Sequence, residues 1–142
     1  MAEQRRIYVN IPVKDLKASV AFFTALGFEF DPRYTNEDAA AMVIGDGNAV
    51  MLLQEEFFKT FTKKPLADAT AMTEAIISIS AESREAVDDM VHKALQAGGR
   101  ESLEPLEMPG MYGWSFQDLD GHQWEVLYMD PISGLTPACQ GA

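Results

Sequence analysis

Two Asp-Gly dipeptides, Asp46-Gly47 and Asp120-Gly121, sit 74 residues apart, and each lies between β-prone stretches. Two glycines that close helix-like stretches, Gly27 and Gly98, sit 71 residues apart, so the offset is nearly constant across half the chain. Asp-Gly between apolar runs marks a hairpin, and a glycine just after an apolar-periodic run marks a helix end, because both sites favour backbone angles that other residues resist. Markers repeating at a constant offset are the signature of an internal duplication. Whatever this chain folds into is therefore two copies of one supersecondary unit.

Each copy spells out the unit. In the first, Ile7, Val9, Ile11 and Val13 alternate with Tyr8, Asn10 and Pro12, the period-two pattern of a strand with unlike faces. Asp15 then offers a side-chain oxygen to the free amides of a helix start, and Leu16, Val20, Phe23 and Leu26 recur at helical spacing up to Gly27. Three β-prone segments follow, over about 28–34, 39–44 and 49–53. In the second copy, 75–80 reads as a strand, Ser83 as a cap, and Val87, Met90, Val91, Ala94 and Leu95 as one helix face closed by Gly98-Gly99. Segments 100–104, 112–117 and 123–129 complete it. The expected fold is α+β, two tandem βαβββ modules in a single domain over residues 1–142. The first module spans about 5–55, the second about 74–131, and a tail covers 132–142. The connection at about 56–73 carries Phe57, Phe58 and Phe61 among Lys59, Lys63 and Lys64, and reads as a short helix and a candidate lid.

Composition limits the partners. A chain of 142 residues with 47% hydrophobic content can build a real core. Its 22 acidic and 11 basic side chains give a formal charge of −11, which repels nucleic-acid phosphates and anionic membrane surfaces and attracts cationic ligands. The same charge also serves simply to keep a protein dispersed. The single cysteine, Cys139, permits no intrachain disulfide and no thiolate metal cluster, and fits a reducing compartment. The first six residues are polar, and no apolar run approaches the roughly 18 residues of a membrane span, so a cytoplasmic location is expected. Phosphate-cradling glycine loops, dinucleotide fingerprints and nucleophile elbows are all missing from the sequence.

The fragments Ile11-Pro12-Val13-Lys14-Asp15-Leu16, Ala21-Phe22-Phe23 and Leu26-Gly27-Phe28, followed at the other end by Asp118-Leu119-Asp120-Gly121-His122-Gln123-Trp124-Glu125-Val126, occur in an order that resembles the vicinal oxygen chelate superfamily over nearly the whole chain. That superfamily includes glyoxalase I, bleomycin-resistance proteins and extradiol dioxygenases. The resemblance implies sheets that curl around one cleft, often completed by a second subunit in a homodimer, with a divalent metal on the sheet's inner face. The family's metal ligands are His, Gln or Glu. Carried onto this chain, the first-strand ligand positions fall on Tyr8 and Ile76, and the last-strand positions, four residues after each turn glycine, on Met51 and Glu125. Only Glu125 keeps a ligating group of the family type, well short of the three protein ligands of an ordinary catalytic site. A family-type metal is thus disfavoured, and no other cofactor is expected.

The candidate site residues follow from these positions. Glu125 lies mid-strand between Trp124 and Val126, where an ionised carboxylate needs a partner. It reads either as a ligand anchor or general base, or as a relic satisfied by Tyr8 or backbone amides. Tyr8 and Asn10 share the polar face of the first strand, Ser78 lies on the polar face of its counterpart, and Met51, Ile76 and Trp114 are candidates to line a ligand pocket. The Met108-Pro109-Gly110-Met111 stretch suits a mobile loop over that pocket, and His92 and His122 read as solvated surface residues. Two functions remain open. One is a metal-free binder of a small organic ligand. The other is a lyase or isomerase resembling glyoxalase I, using either a metal or Glu125 alone.

Overall fold

The structure is a computed structural model, and it describes residues 4–130. The chain divides into two compact units, with the boundary between Asp68 and Ala69. The tail at 132–142, including Cys139, lies outside the described residues.

The first unit runs β1 (Ile7–Val13), α1 (Leu16–Ala25), β2 (Glu29–Asp31), β3 (Ala39–Gly45), β4 (Asn48–Gln54) and the short helix α2 (Glu55–Phe58). Its four strands form a sheet in the order β1-β4-β3-β2. β1 pairs with β4 in parallel, and the remaining pairs are antiparallel. A parallel pair cannot be joined by a tight turn, which is why α1 crosses between β1 and the rest of the sheet. The helix begins where the sequence places its cap: Asp15 Oδ1 accepts from the Ala18 amide at 3.1 Å. A second cap arrives from the far end of β4, where Gln54 Oε1 accepts from the Leu16 amide at 2.6 Å. Gln54 thus ties the helix start to the strand that β1 pairs with.

The helix end is a Schellman motif. Phe28 N–H donates to the Phe23 carbonyl at 3.1 Å and Gly27 N–H to that of Thr24 at 3.0 Å, with Gly27 at φ +105°. Ile11, Val13, Val50, Leu52, Ala40 and Met42 are buried with Leu16, Phe22, Phe23 and Leu26 of α1. Because side chains alternate along a strand, the residues paired out of phase with these, Tyr8, Asn10, Ala49, Met51, Ala41 and Val43, belong to the opposite face.

The second unit repeats the plan with β5 (Ile76–Ser80), α3 (Arg84–Gln96), β6 (Arg100–Glu101), β7 (Leu106–Met108), β8 (Met111–Gln117) and β9 (Gln123–Met129). The sheet order is β5-β9-β8-β6, with β7 also on β8, and β5 pairs with β9 in parallel. Ser83 Oγ caps α3 by accepting from the Ala86 amide at 3.0 Å. Its end is the same motif as in α1, Gly99 N–H donating to the Ala94 carbonyl at 2.8 Å around a positive-φ Gly98. Val87, Val91 and Ala94 of the helix are buried with Trp124, Val126 and Phe116 of the sheet. The architecture is α+β, with one mixed sheet per unit.

Three expectations change in detail. The segment expected over 28–34 is a strand only to Asp31, where Pro32 removes a ladder donor and a 3-10 turn follows. The segment at 100–104 is cut to two residues. Residues 102–105 bow out opposite Trp114 and Ser115 before β7 resumes, since Pro105 has no N–H to give the ladder. Met108-Pro109-Gly110-Met111 is a tight hairpin turn rather than an extended loop, Met108 pairing with Met111 and Gly110 at φ +78° as a Pro-Gly turn requires, and it lines a concavity of the second unit with Arg84, Glu107 and Tyr128. Among the described residues, no helix is long and apolar enough to cross a bilayer.

Phe23 is 1% exposed and meets Phe22 edge-on at 4.9 Å between ring centroids. Truncation to alanine should cost about 3–5 kcal/mol in a denaturant titration. The same change at Met72, which is 58% exposed, should stay within about 0.5 kcal/mol.

Candidate functional site

On the first unit's sheet face opposite α1, the side chains are short and the floor is open. Ala41, Ala49, Val43 and Met51 pave it, and a concavity of about 510 Å³ lies above them. Tyr8, 57% exposed, forms one wall from β1. The opposite wall is built by the turn after β2. Asp31 caps that turn by accepting from the Arg33 amide at 3.0 Å, and its carboxylate takes both ends of the Arg33 guanidinium, at 3.1 Å to Nε and 2.8 Å to the terminal nitrogen. The arginine holds the Asp31 carboxyl below its ordinary range, through its side-chain hydrogen bonds first. Arg33 in turn lies 5.5 Å from the Tyr34 ring centroid. Thr35 fastens the turn to the sheet by donating to the Asp31 carbonyl at 2.8 Å and accepting from the Ala41 amide at 3.1 Å.

Of the residues singled out from sequence, Tyr8 and Met51 line this concavity. Asn10 is exposed on the same face, in register with Met51. Asp31, Arg33, Tyr34 and Arg6 line it too and were missed. The only sequence signal for the first three is the Asp-Pro-Arg-Tyr turn itself, which does not say where the turn lies against the sheet.

In the second unit, Glu125 of β9 is in register with Ser78 of β5 on one side and Ser115 of β8 on the other. Within its own unit its partner is a serine hydroxyl. Ser78 Oγ donates to Glu125 Oε1 at 2.9 Å, and the carboxylate is half-buried. Ile76 sits on the same face, two residues along β5 and 54% exposed. Trp114 does not join them. It pairs with Val126, whose side chain is on the face that α3 covers, stands edge-on to His92 at 5.3 Å, and donates from Nε1 to the Leu103 carbonyl at 3.1 Å. An indole there packs the helix and the 102–105 bow and cannot line a pocket with Glu125.

His122 also departs from its expected place. It is 3% exposed, and its Nδ1 lies 2.6 Å from Glu74 Oε2. The loop between β8 and β9 spans 118–122 because Asp118, 4% exposed, turns its carboxylate inward. There it accepts from the Asp120 and His122 amides at 2.9 and 3.0 Å and from Trp124 Nε1 at 2.9 Å. Burial pushes the Asp118 carboxyl up, against the opposing pull of His122 and of these hydrogen bonds. This network fastens the turn to the core.

The metal implied by the resemblance can be tested against these donors. The first unit offers a phenol and a thioether, and the second an aliphatic side chain and a carboxylate already hydrogen-bonded to a serine. Phenol, thioether and sec-butyl groups do not make a site for a divalent ion that prefers imidazole and carboxylate. Among the described residues, no group of three or more His, Cys, Asp or Glu is placed to hold an ion. The residues present do not fit the group.

The buried carboxylate predicts a pH dependence. A carboxyl held above its unfolded value favours folding most at acid pH, and that contribution is lost as pH rises through the raised value. Urea titrations over pH 4 to 8 should therefore show wild-type stability falling relative to Asp118→Asn as pH rises, and parallel curves would contradict the raised pKa. Trp124→Phe leaves Asp118 short of one donor and should cost about 1–3 kcal/mol.

Comparison with known proteins places this architecture. Residues 5–126 match the family model described as Glyoxalase/Bleomycin resistance protein/Dioxygenase superfamily. A hypothetical protein from S. aureus is 31% identical, with a TM-score of 0.75 over 89% of this chain and 95% of that one. A glyoxalase/bleomycin resistance protein/dioxygenase family enzyme from Burkholderia phytofirmans PsJN is 19% identical, with a TM-score of 0.70 over 86% and 96%. A glyoxalase-related enzyme from Fulvimarina pelagi is 16% identical, with a TM-score of 0.73 over 89% and 88%. The last two share the fold alone. No curated protein matches the chain. Twin βαβββ units, helices closed by the same glycine motif and a match from residue 5 to residue 126 make this chain a member of the glyoxalase/bleomycin resistance/dioxygenase superfamily.

Proposed function

We propose that this protein binds a small organic molecule on the open sheet face of its first unit, without the divalent metal that the family resemblance implies. The observation that carries this reading is the exchange of ligating groups for Tyr8, Met51 and Ile76, with Tyr8 and Met51 lining a concavity of about 510 Å³. That volume falls within the range of small-molecule pockets, and an apolar floor with a few polar walls is their usual composition. The homodimer and the cytoplasmic location expected from sequence stay part of the proposal, with a small molecule, rather than nucleic acid or membrane, as the partner.

A second reading rests on the Ser78–Glu125 hydrogen bond. A half-buried carboxylate held in one rotamer by a hydroxyl is a competent proton acceptor for a carbon acid, as a metal-free isomerase would need. Binding is preferred because Tyr8 and Met51, two of the exchanged positions, line a formed concavity.

Protein purified without chelator should contain far less than one equivalent of Zn, Ni, Fe or Mn by elemental analysis, and adding these ions should leave the melting temperature unchanged. Stoichiometric metal that is lost in Glu125→Gln would overturn the metal-free reading. Isomerisation of a hemithioacetal that falls by about 100-fold or more in Glu125→Gln, the loss typical of removing a general base, would favour the second reading over the first.

A further inference from the structure

The charges around the first unit's concavity are the reverse of the chain's. Against a formal charge of −11 overall, the concavity is lined by two arginines, Arg6 and Arg33, and one carboxylate, Asp31. Arg33 is engaged: its guanidinium and the Asp31 carboxylate form a two-pronged pair. Arg6 has no carboxylate partner within ion-pair reach among the described residues. Its position is nonetheless defined by the hairpin between β3 and β4. The Ile7 amide donates to the Gly47 carbonyl at 3.0 Å, and a Cβ built on Gly47 would lie 3.0 Å from Arg6 Cγ. The bare glycine at φ +77° therefore lets the arginine stem lie across the turn, which places the side chain at the hairpin end of the concavity, beside Gly45, Gly47 and Asn48.

The rest of the lining suits a flat molecule. Ala49 and Ala41 keep the floor low, and Tyr8 and Tyr34 rise at its edges. Aromatic walls above small apolar residues accommodate a planar ring by stacking and edge contacts. An uncommitted guanidinium at one end supplies a fork of donors that matches a carboxylate.

We propose that the concavity takes a planar organic acid, its ring over Ala41 and Ala49 between Tyr8 and Tyr34 and its carboxylate received by Arg6. This inference rests on the binding reading above and narrows it to a ligand class, one opposite in sign to the cationic ligand that net charge suggests. A guanidinium at a site this open remains partly screened by water, so the charge preference is modest and salt-dependent.

The test uses benzoate, 2-naphthoate and indole-3-acetate, each beside its primary amide, titrated calorimetrically into the full-length protein. The acid of at least one pair should bind about three- to tenfold more tightly than its amide at low salt, and that ratio should shrink toward one in about 0.5 M NaCl. Arg6→Gln should abolish the preference by weakening the acid far more than the amide, and Arg6→Lys should retain part of it. Ala49→Leu, which raises the floor, should weaken acid and amide alike, its folding being checked by unfolding titration. Equal binding of acid and amide, or a preference untouched by Arg6→Gln, overturns the acid assignment and leaves the binding reading standing. Binding that ignores Ala49→Leu places the ligand elsewhere, and failure of every acid and amide to bind overturns both the assignment and the binding reading.

Discussion

In each unit the first strand lies parallel to the last, β1 on β4 and β5 on β9, and the rest of the structure depends on that pairing. Parallel neighbours need a crossover, the crossover here is a helix, and a helix with an apolar stripe must bury it on one face of the sheet. The other face is then left uncovered by that helix. The registers Asn10 with Met51 and Ser78 with Glu125 show the same geometric position filled in two ways. One has an amide beside a thioether, and the other has a hydroxyl bonded to a carboxylate. The duplication supplies the frame twice, and the side chains placed on it have diverged.

The helix caps explain why the frame holds its register. Gln54 reaches from the end of β4 to the first amide of α1 and to the Lys14 carbonyl, so the helix start is fixed to the strand that pairs with β1. In the second unit the comparable tie is the Asp118 carboxylate, which gathers Trp124 and two loop amides at the turn into β9. A buried carboxylate is costly unless its acceptors are filled. Here three donors converge on it, and the price is a carboxyl displaced upward from its ordinary range.

Local charge and total charge tell different stories. A net charge of −11 governs the far field, yet at hydrogen-bond distance only the side chains lining a site count, because water and salt screen the remainder within about 10 Å. Around the first unit's concavity those side chains are two arginines and an aspartate. The metal question has the same character: overall acidity does not make a cation site, and the positions that matter hold Tyr8, Met51 and Ile76.

The sequence by itself determined the duplication, the order of elements, the helix caps at Asp15 and Ser83 and the helix-ending glycines, since each is written in residues a few positions apart. It also put Trp114 among the candidates to line a ligand pocket. Period-two alternation states which side chains stand together but not which of the two faces the helix will cover. Only the tertiary structure put Trp114 beneath α3, gave Glu125 its serine, buried His122 against Glu74 and brought Arg6 to a concavity walled by Asp31, Arg33 and Tyr34. Those outcomes depend on pairing between segments tens of residues apart, and that information is carried by packing rather than by any local pattern.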